Sequence, residues 1–212
     1  MKDDRRHPLS DAHSDRQSAS QVPDTPQTRA PSYRLAFADE DFLCRPELRP
    51  VRLQLELLKP ELALDEHEIE STVVLFGGAR IPEPSKKDSA RTETLAELSR
   101  FYDETRKFAK LVTEASDGKK NVIVTGGGPG VMEAGNRGAL DAGGHSIGLN
   151  IVLPFEQAPH EYVPPDLCFN FHHFAIRQLP FLLRARAICA LTRRLGTHDQ
   201  PFKTHYRART GQ

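Results

Sequence analysis

The chain has 212 residues, with 29 basic and 29 acidic side chains and a formal net charge of zero. That length suits one medium α/β domain plus a tail, and the balanced charge gives no global pull towards nucleic acid or an anionic membrane. The apolar runs fall far short of a membrane span, no signal peptide is expected at the start, and three scattered cysteines read as reduced, mostly buried thiols of a cytoplasmic protein.

Residues 1–30 are rich in Ser, Asp, Arg, Gln and Pro, a composition that predicts a disordered tail. An extension over 31–70 carries a predicted helix near 51–58, bounded by Pro50 and Pro60, whose Leu53, Leu57 and Leu58 should pack on the main domain or a partner subunit. A Rossmann-like domain over 71–212 opens with a β-branched strand, Thr72 to Phe76, ending at Gly77-Gly78-Ala79-Arg80. A long helical pattern over 89–116 follows, with Leu95, Leu98, Tyr102, Phe108, Leu111 and Val112 as its apolar positions. Next come a strand at 121–125, a glycine run, a helix over 130–142 and a strand at 145–152. Beyond a proline-rich loop lie a strand at 167–171, a helix over 174–186 and a strand at 187–191. Strands alternating with helices imply an α/β fold, a doubly wound parallel sheet whose ligands sit at the carboxyl ends of the strands. Both glycine loops fall there.

The run Thr125-Gly126-Gly127-Gly128-Pro129-Gly130-Val131-Met132-Glu133 has the order of a phosphate-binding element: buried strand, glycine turn, helix start. Glycines let backbone N–H groups close on an anion, and the helix N-terminus adds its positive dipole end. It is a poor dinucleotide fingerprint, because Val131 occupies the third glycine position and the next strand carries Asn150 rather than an acid for a ribose diol. No Gly-Lys-Ser or Gly-Lys-Thr closes the turn, so it is not a P-loop. A mononucleotide or sugar phosphate suits it better than NAD or ATP.

Three pieces together resemble the nucleoside-monophosphate phosphoribohydrolases once mislabelled lysine decarboxylases, which include the LONELY GUY enzymes and bacterial AMP nucleosidases. They are Phe76-Gly77-Gly78-Ala79-Arg80, the glycine run through Ala134, and Phe174-Ala175-Ile176-Arg177-Gln178 leading to Arg184-Ala185-Arg186-Ala187. The resemblance implies hydrolysis of the N-glycosidic bond of a nucleoside 5′-monophosphate such as AMP, with no cofactor and no metal. It assigns the catalytic arginine to Arg177 and the phosphate contacts to the two glycine loops, namely Gly77 and Arg80 in the first and Thr125, Gly126, Gly127, Gly128 and Gly130 in the second. Gly196 and Thr197 align with a third family motif, Pro-Gly-Gly-x-Gly-Thr-x-x-Glu. There Pro-Gly-Gly has become Thr192-Arg193-Arg194, and Gln200 stands at the catalytic glutamate. The family continues past the point reached at Gln212, so a C-terminally incomplete, degenerate member is the expectation. Such proteins are commonly dimeric, which implies a homodimer or larger homo-oligomer, and a missing strand should leave an unpaired sheet edge.

Cleavage of an N-glycosidic bond develops an oxocarbenium-like cation that a carboxylate can stabilise while it activates water. Glutamine is neutral and cannot take a proton, so activity is expected to be weakened or lost; a non-catalytic nucleotide-binding subunit is the alternative. Glu133 is the other carboxylate placed near the turn, either for ribose or as a helix N-terminal acid. Pro180 should kink the helix carrying Arg177, at a cost of about 3 kcal/mol in an interior position, and so mis-aim it. His172-His173 lack a partner cluster for a metal, Cys189 should be buried and inert, and Arg184 and Arg186 read as helix-end or subunit-contact charges.

Overall fold

A computed structural model describes residues 11–153 and 158–191. It divides into two units, up to Arg52 and from Leu53 onward. The first unit carries α1 (Ala12–Ala19), α2 (Pro26–Arg29) and α3 (Glu40–Leu43), none with a buried residue. Capping bonds within four residues fix their starts: Asp11, Thr25 and Asp39 each accept a backbone N–H from three residues on. Cys44, grouped with buried thiols on composition, is exposed here.

The helix expected over 51–58 is longer, α4 (Arg49–Glu66), and runs through Pro60. Proline removes one N–H bond, but contacts beyond it hold the helix. Pro60 and Leu64 are buried, and Arg184 bonds Glu61, Asp65 and the Ile69 carbonyl. Of the three leucines expected to pack, Leu53 and Leu57 are partly buried, whereas Leu58 is 51% exposed.

The second unit is built on five strands, β1 (Thr72–Gly77), β2 (Val122–Thr125), β3 (Ser146–Ile151), β4 (Cys168–Phe171) and β5 (Ala185–Leu191). All pair in parallel, in the order β4-β3-β2-β1-β5. This is the α/β, Rossmann-like sheet expected from the sequence. The chain steps outward from β1 to β4 and then returns to the opposite side of β1. The topological switch point therefore lies at the carboxyl ends of β1 and β5.

Alternation along β1 divides the core. Val74 and Phe76 join Val122, Val124, Ile147, Leu149, Leu64 and Phe181 on one face, while Val73 and Leu75 join Ile123, Ala109 and Ala139 on the other. The helical pattern at 89–116 resolves into α5 (Glu93–Glu97) and α6 (Arg100–Glu114). Bonds of the i to i−3 kind at Ser99, Phe101 and Tyr102 tighten the chain between them. α6 buries Tyr102, Thr105 and Ala109 at helical spacing, facing α7 (Val131–Asp141). The helices approach closely because α7 presents Gly138, where a Cβ would stand 2.2 Å from the Arg106 carbonyl oxygen. α8 (Phe174–Leu183) passes through Pro180 as α4 passes through Pro60, with Pro180 and Phe181 buried. Among the described residues no helix is long and apolar enough to cross a membrane.

Candidate functional site

The loop after β2 turns on two left-handed glycines, Gly127 at φ 69° and Gly130 at φ 73°. Close approach excludes a side chain at both as well. A Cβ on Gly127 would lie 2.5 Å from Asn150 Oδ1, and one on Gly130 would lie 2.5 Å from the Gly78 carbonyl oxygen. The second contact, with the Val131 N–H donating to the same carbonyl at 3.3 Å, locks this loop to the loop after β1. Gly77 serves the same junction, since its Cβ would overlap Val131 Cγ1 at 2.2 Å. At Gly128 a Cβ would meet only the flexible end of Met132, at 2.8 Å.

A buried polar chain holds the loop from behind. Thr125 Oγ1 accepts the Gly127 N–H at 3.0 Å and donates to Asn136 Oδ1 at 2.5 Å. Asn136 Nδ2 donates to Ser146 Oγ at 2.9 Å and to the Ile147 carbonyl at 3.4 Å. Thr125, Asn136 and Ser146 are each at most 1% exposed, so these bonds satisfy polar groups held away from solvent. The hydroxyl of Thr125, a residue expected at the phosphate, donates one bond and accepts one within the protein and so shapes the loop.

Arg177 reaches this turn despite Pro180, which lies three residues further along α8. Its Nε donates to the Leu149 carbonyl at 2.6 Å, and its guanidinium lies 5.3 Å from the Phe181 ring centre. Nη2 stands 2.7 Å from where a Cβ of Gly126 would be, so glycine there leaves room for the guanidinium. Burial pushes its pKa down to about 10, which still leaves it charged at neutral pH. No carboxylate among the described residues pairs with it. A largely buried cation beside a glycine turn and the N-terminus of α7 is an arrangement suited to an anion.

Glu133 turns the other way, towards α6. Its Oε1 accepts the hydroxyl of Tyr102 at 2.8 Å, and Tyr102 is 1% exposed. Arg137 lies 3.4 Å from that hydroxyl, pairs with Glu83 at 3.1 Å and covers the Tyr162 ring. Burial pushes the Tyr102 phenol well above its ordinary pKa, so it stays a hydrogen-bond donor. Arg80 is exposed at the end of the loop after β1. Gly196, Thr197 and Gln200 lie outside the described residues.

The remaining candidates have structural partners. Glu56 accepts the N–H groups of His172 and His173 at 3.1 and 3.2 Å and pairs with His173 Nδ1, capping the start of α8. Arg184 clamps α4, as described above. Cys189 packs against the α6–α7 face of the core, and burial raises its thiol pKa. Among the described residues no three His, Cys, Asp or Glu side chains cluster as a metal would require. Two side chains at the loops were not marked as site residues by the sequence. Asn150 lies against Gly127, and both ring nitrogens of His160 are buried without a partner among the described residues. An asparagine at the carboxyl end of a strand is a weak signal, and His160 sits in a loop without periodicity.

One solved structure that this chain matches, TM1055, a Northeast Structural Genomics Consortium target, is 22% identical over 64% of this chain and 69% of its own, with a TM-score of 0.44. No curated protein matches. Between residues 99 and 199, a stretch just under half the chain that contains α6, the glycine loop, α8 and β5, the sequence is similar to the SLOG cluster4 family.

Proposed function

We propose that this chain binds a nucleoside 5′-monophosphate, AMP among them, with the phosphate on the Gly126–Gly130 turn and Arg177 as its charge partner. One observation carries the reading: Arg177 is mostly buried, has no carboxylate partner among the described residues and stands against Gly126. A bound phosphate supplies the missing anion, and the start of α7 adds its dipole. Similarity to the SLOG cluster4 family supports a nucleotide-related role, and the finer assignment to an AMP nucleosidase-type N-glycosidase rests on the family resemblance.

In that chemistry the two glycine loops hold the phosphate, Arg177 contacts the nucleotide, and a carboxylate serves the ribosyl cation and the attacking water. Glu133 is bonded to Tyr102, and Gln200 has no charge to give, so the proposed activity is weak or absent and binding is the function that remains. Calorimetry with AMP on the wild type and on Arg177→Gln tests the binding reading, and adenine release followed by chromatography tests the chemistry. Binding lost in Arg177→Gln is expected; a wild type that takes up no AMP at millimolar concentration overturns the proposal. Adenine release above a heat-killed control, and lost in Arg177→Gln, would restore the nucleosidase reading.

We propose further that the protein self-associates. Val51, Leu55, Leu58 and Leu62 are all exposed and follow one another at steps of four, three and four along α4. That spacing matches a two-helix seam and reads the same in both directions. A sedimentation profile that stays monomeric at high concentration refutes it.

A further inference from the structure

Asn150, at the carboxyl end of β3, is 8% exposed and underused. A carboxamide offers two donors and two acceptor lone pairs. Here the amide nitrogen makes one weak bond, to Cys168 Sγ at 3.3 Å, and the amide oxygen has no partner among the described residues. That oxygen is not among the buried atoms left without a partner, so it is open to solvent and free to accept from a molecule that enters beside it. One side of this carboxamide touches Gly127 of the glycine turn, and the other lines a cavity of about 380 Å³. Ala158, Pro159 and Phe169 give that cavity apolar walls, Cys168 lies beside the carboxamide, and the volume falls in the roughly 300–1,000 Å³ range of small-molecule sites.

We infer that this cavity takes the heterocyclic base of the bound nucleotide and that Asn150 reads its edge, a specificity-determining contact. The inference rests on the phosphate reading above, because it places the base on the far side of Asn150 from the Gly126–Gly130 turn. An asparagine carboxamide pairs a donor with an acceptor, the complement of the amino group and neighbouring ring nitrogen of an adenine-type base. The apolar walls suit the faces of a flat ring. Binding would give the Asn150 oxygen the partner it lacks.

Comparison of AMP with ribose 5-phosphate separates the two readings, since both carry the phosphate and only one carries a base. The wild type should bind AMP at least about tenfold more tightly, the size of one good hydrogen-bonded contact with its ring burial. In Asn150→Ala the ratio of AMP affinity to ribose 5-phosphate affinity should fall, because only AMP loses a base contact. A second readout needs no variant: alkylation of Cys168, followed by mass spectrometry at alkaline pH, should slow with AMP and not with ribose 5-phosphate. Cys44, which is exposed, provides the unprotected control. Equal affinity for the two ligands, or equal protection of Cys168, overturns the base pocket and leaves the phosphate site standing. Binding of neither ligand overturns both.

Discussion

β1 and β5 lie side by side and pair over most of their length, yet their surroundings differ completely. Every residue of β1 from Thr72 to Phe76 is buried, whereas no residue of β5 is. β1 has a neighbour on each side and is covered on both faces. β5 has β1 alone among the described residues, and its Ala187 and Ala190 are exposed. Apolar composition is therefore a poor guide to burial at this end of the sheet; position in the strand order decides it. The glycine turn hangs from the well-covered part, which gives it a rigid base. Among the described residues the β5 side is an edge of the sheet, with no strand beyond it.

Substitutions on the two sides should differ most where backbone and packing constraints coincide. Gly130→Val puts a branched side chain at φ 73° and drives its Cβ into the Gly78 carbonyl. The expected cost is about 4 kcal/mol or more, enough to abolish a cooperative melt. Ala187→Val on β5 is expected to change stability by no more than about 0.5 kcal/mol, because the site is open and the residue favours strands. Thermal melts of the pair measure the contrast directly, and similar melting temperatures would refute it.

The next largest effect lies behind the turn. Asn136→Leu strands the hydroxyls of Thr125 and Ser146 in the core and should cost about 3 kcal/mol in urea unfolding. Adding Ser146→Ala removes one stranded group and should return about 1 kcal/mol of that loss. On the β5 side the corresponding tie is ionic. Arg184→Met leaves Glu61, Asp65 and the Ile69 carbonyl without their shared donor, at an expected cost of about 1–2 kcal/mol, since Asp65 is largely exposed while Arg184 and Glu61 are not. Added salt should reduce the effect of Arg184→Met and leave that of Asn136→Leu unchanged.

The sequence displays the first kind of constraint more openly than the second. β-branched runs mark the strands, and the Gly-Gly-Gly-Pro-Gly turn announces its own geometry, because only glycine sits comfortably at the positive φ of Gly127 and Gly130. Prolines misled the reading of the helices. Pro60 looks like a boundary and Pro180 like a kink that mis-aims Arg177, yet both sit inside helices whose later turns are held by packing that depends on distant residues. The charge left open at Arg177 became visible only in three dimensions, as did the Tyr102–Glu133 bond, which spans 31 positions. Asn150 is ordinary in the sequence; only its missing partners and the adjoining cavity single it out.

The smallest expected effects are in the pH dependence, where two histidines pull in opposite directions. His67 contacts the Ala63 carbonyl at 2.8 Å and Asp166 at 2.6 Å, the first of which contributes most to raising its pKa above the ordinary value. A raised folded-state pKa adds stability that is fully present below the unfolded value and is lost as pH rises through the folded one. His160 is the reverse case. Its ring nitrogens are buried and have no partner among the described residues, and burial lowers its pKa, so it costs stability as pH falls below the ordinary histidine value. Asp166 is largely exposed, which caps the His67 contribution below about 1 kcal/mol. Melts across the histidine range should therefore separate the two: His67→Asn should lower the melting temperature on the acid side and leave the alkaline side unchanged. His160→Asn should flatten the acid fall. If His67→Asn acted equally at all pH values, its bond to Ala63 would be structural alone, and protonation would add nothing at this site.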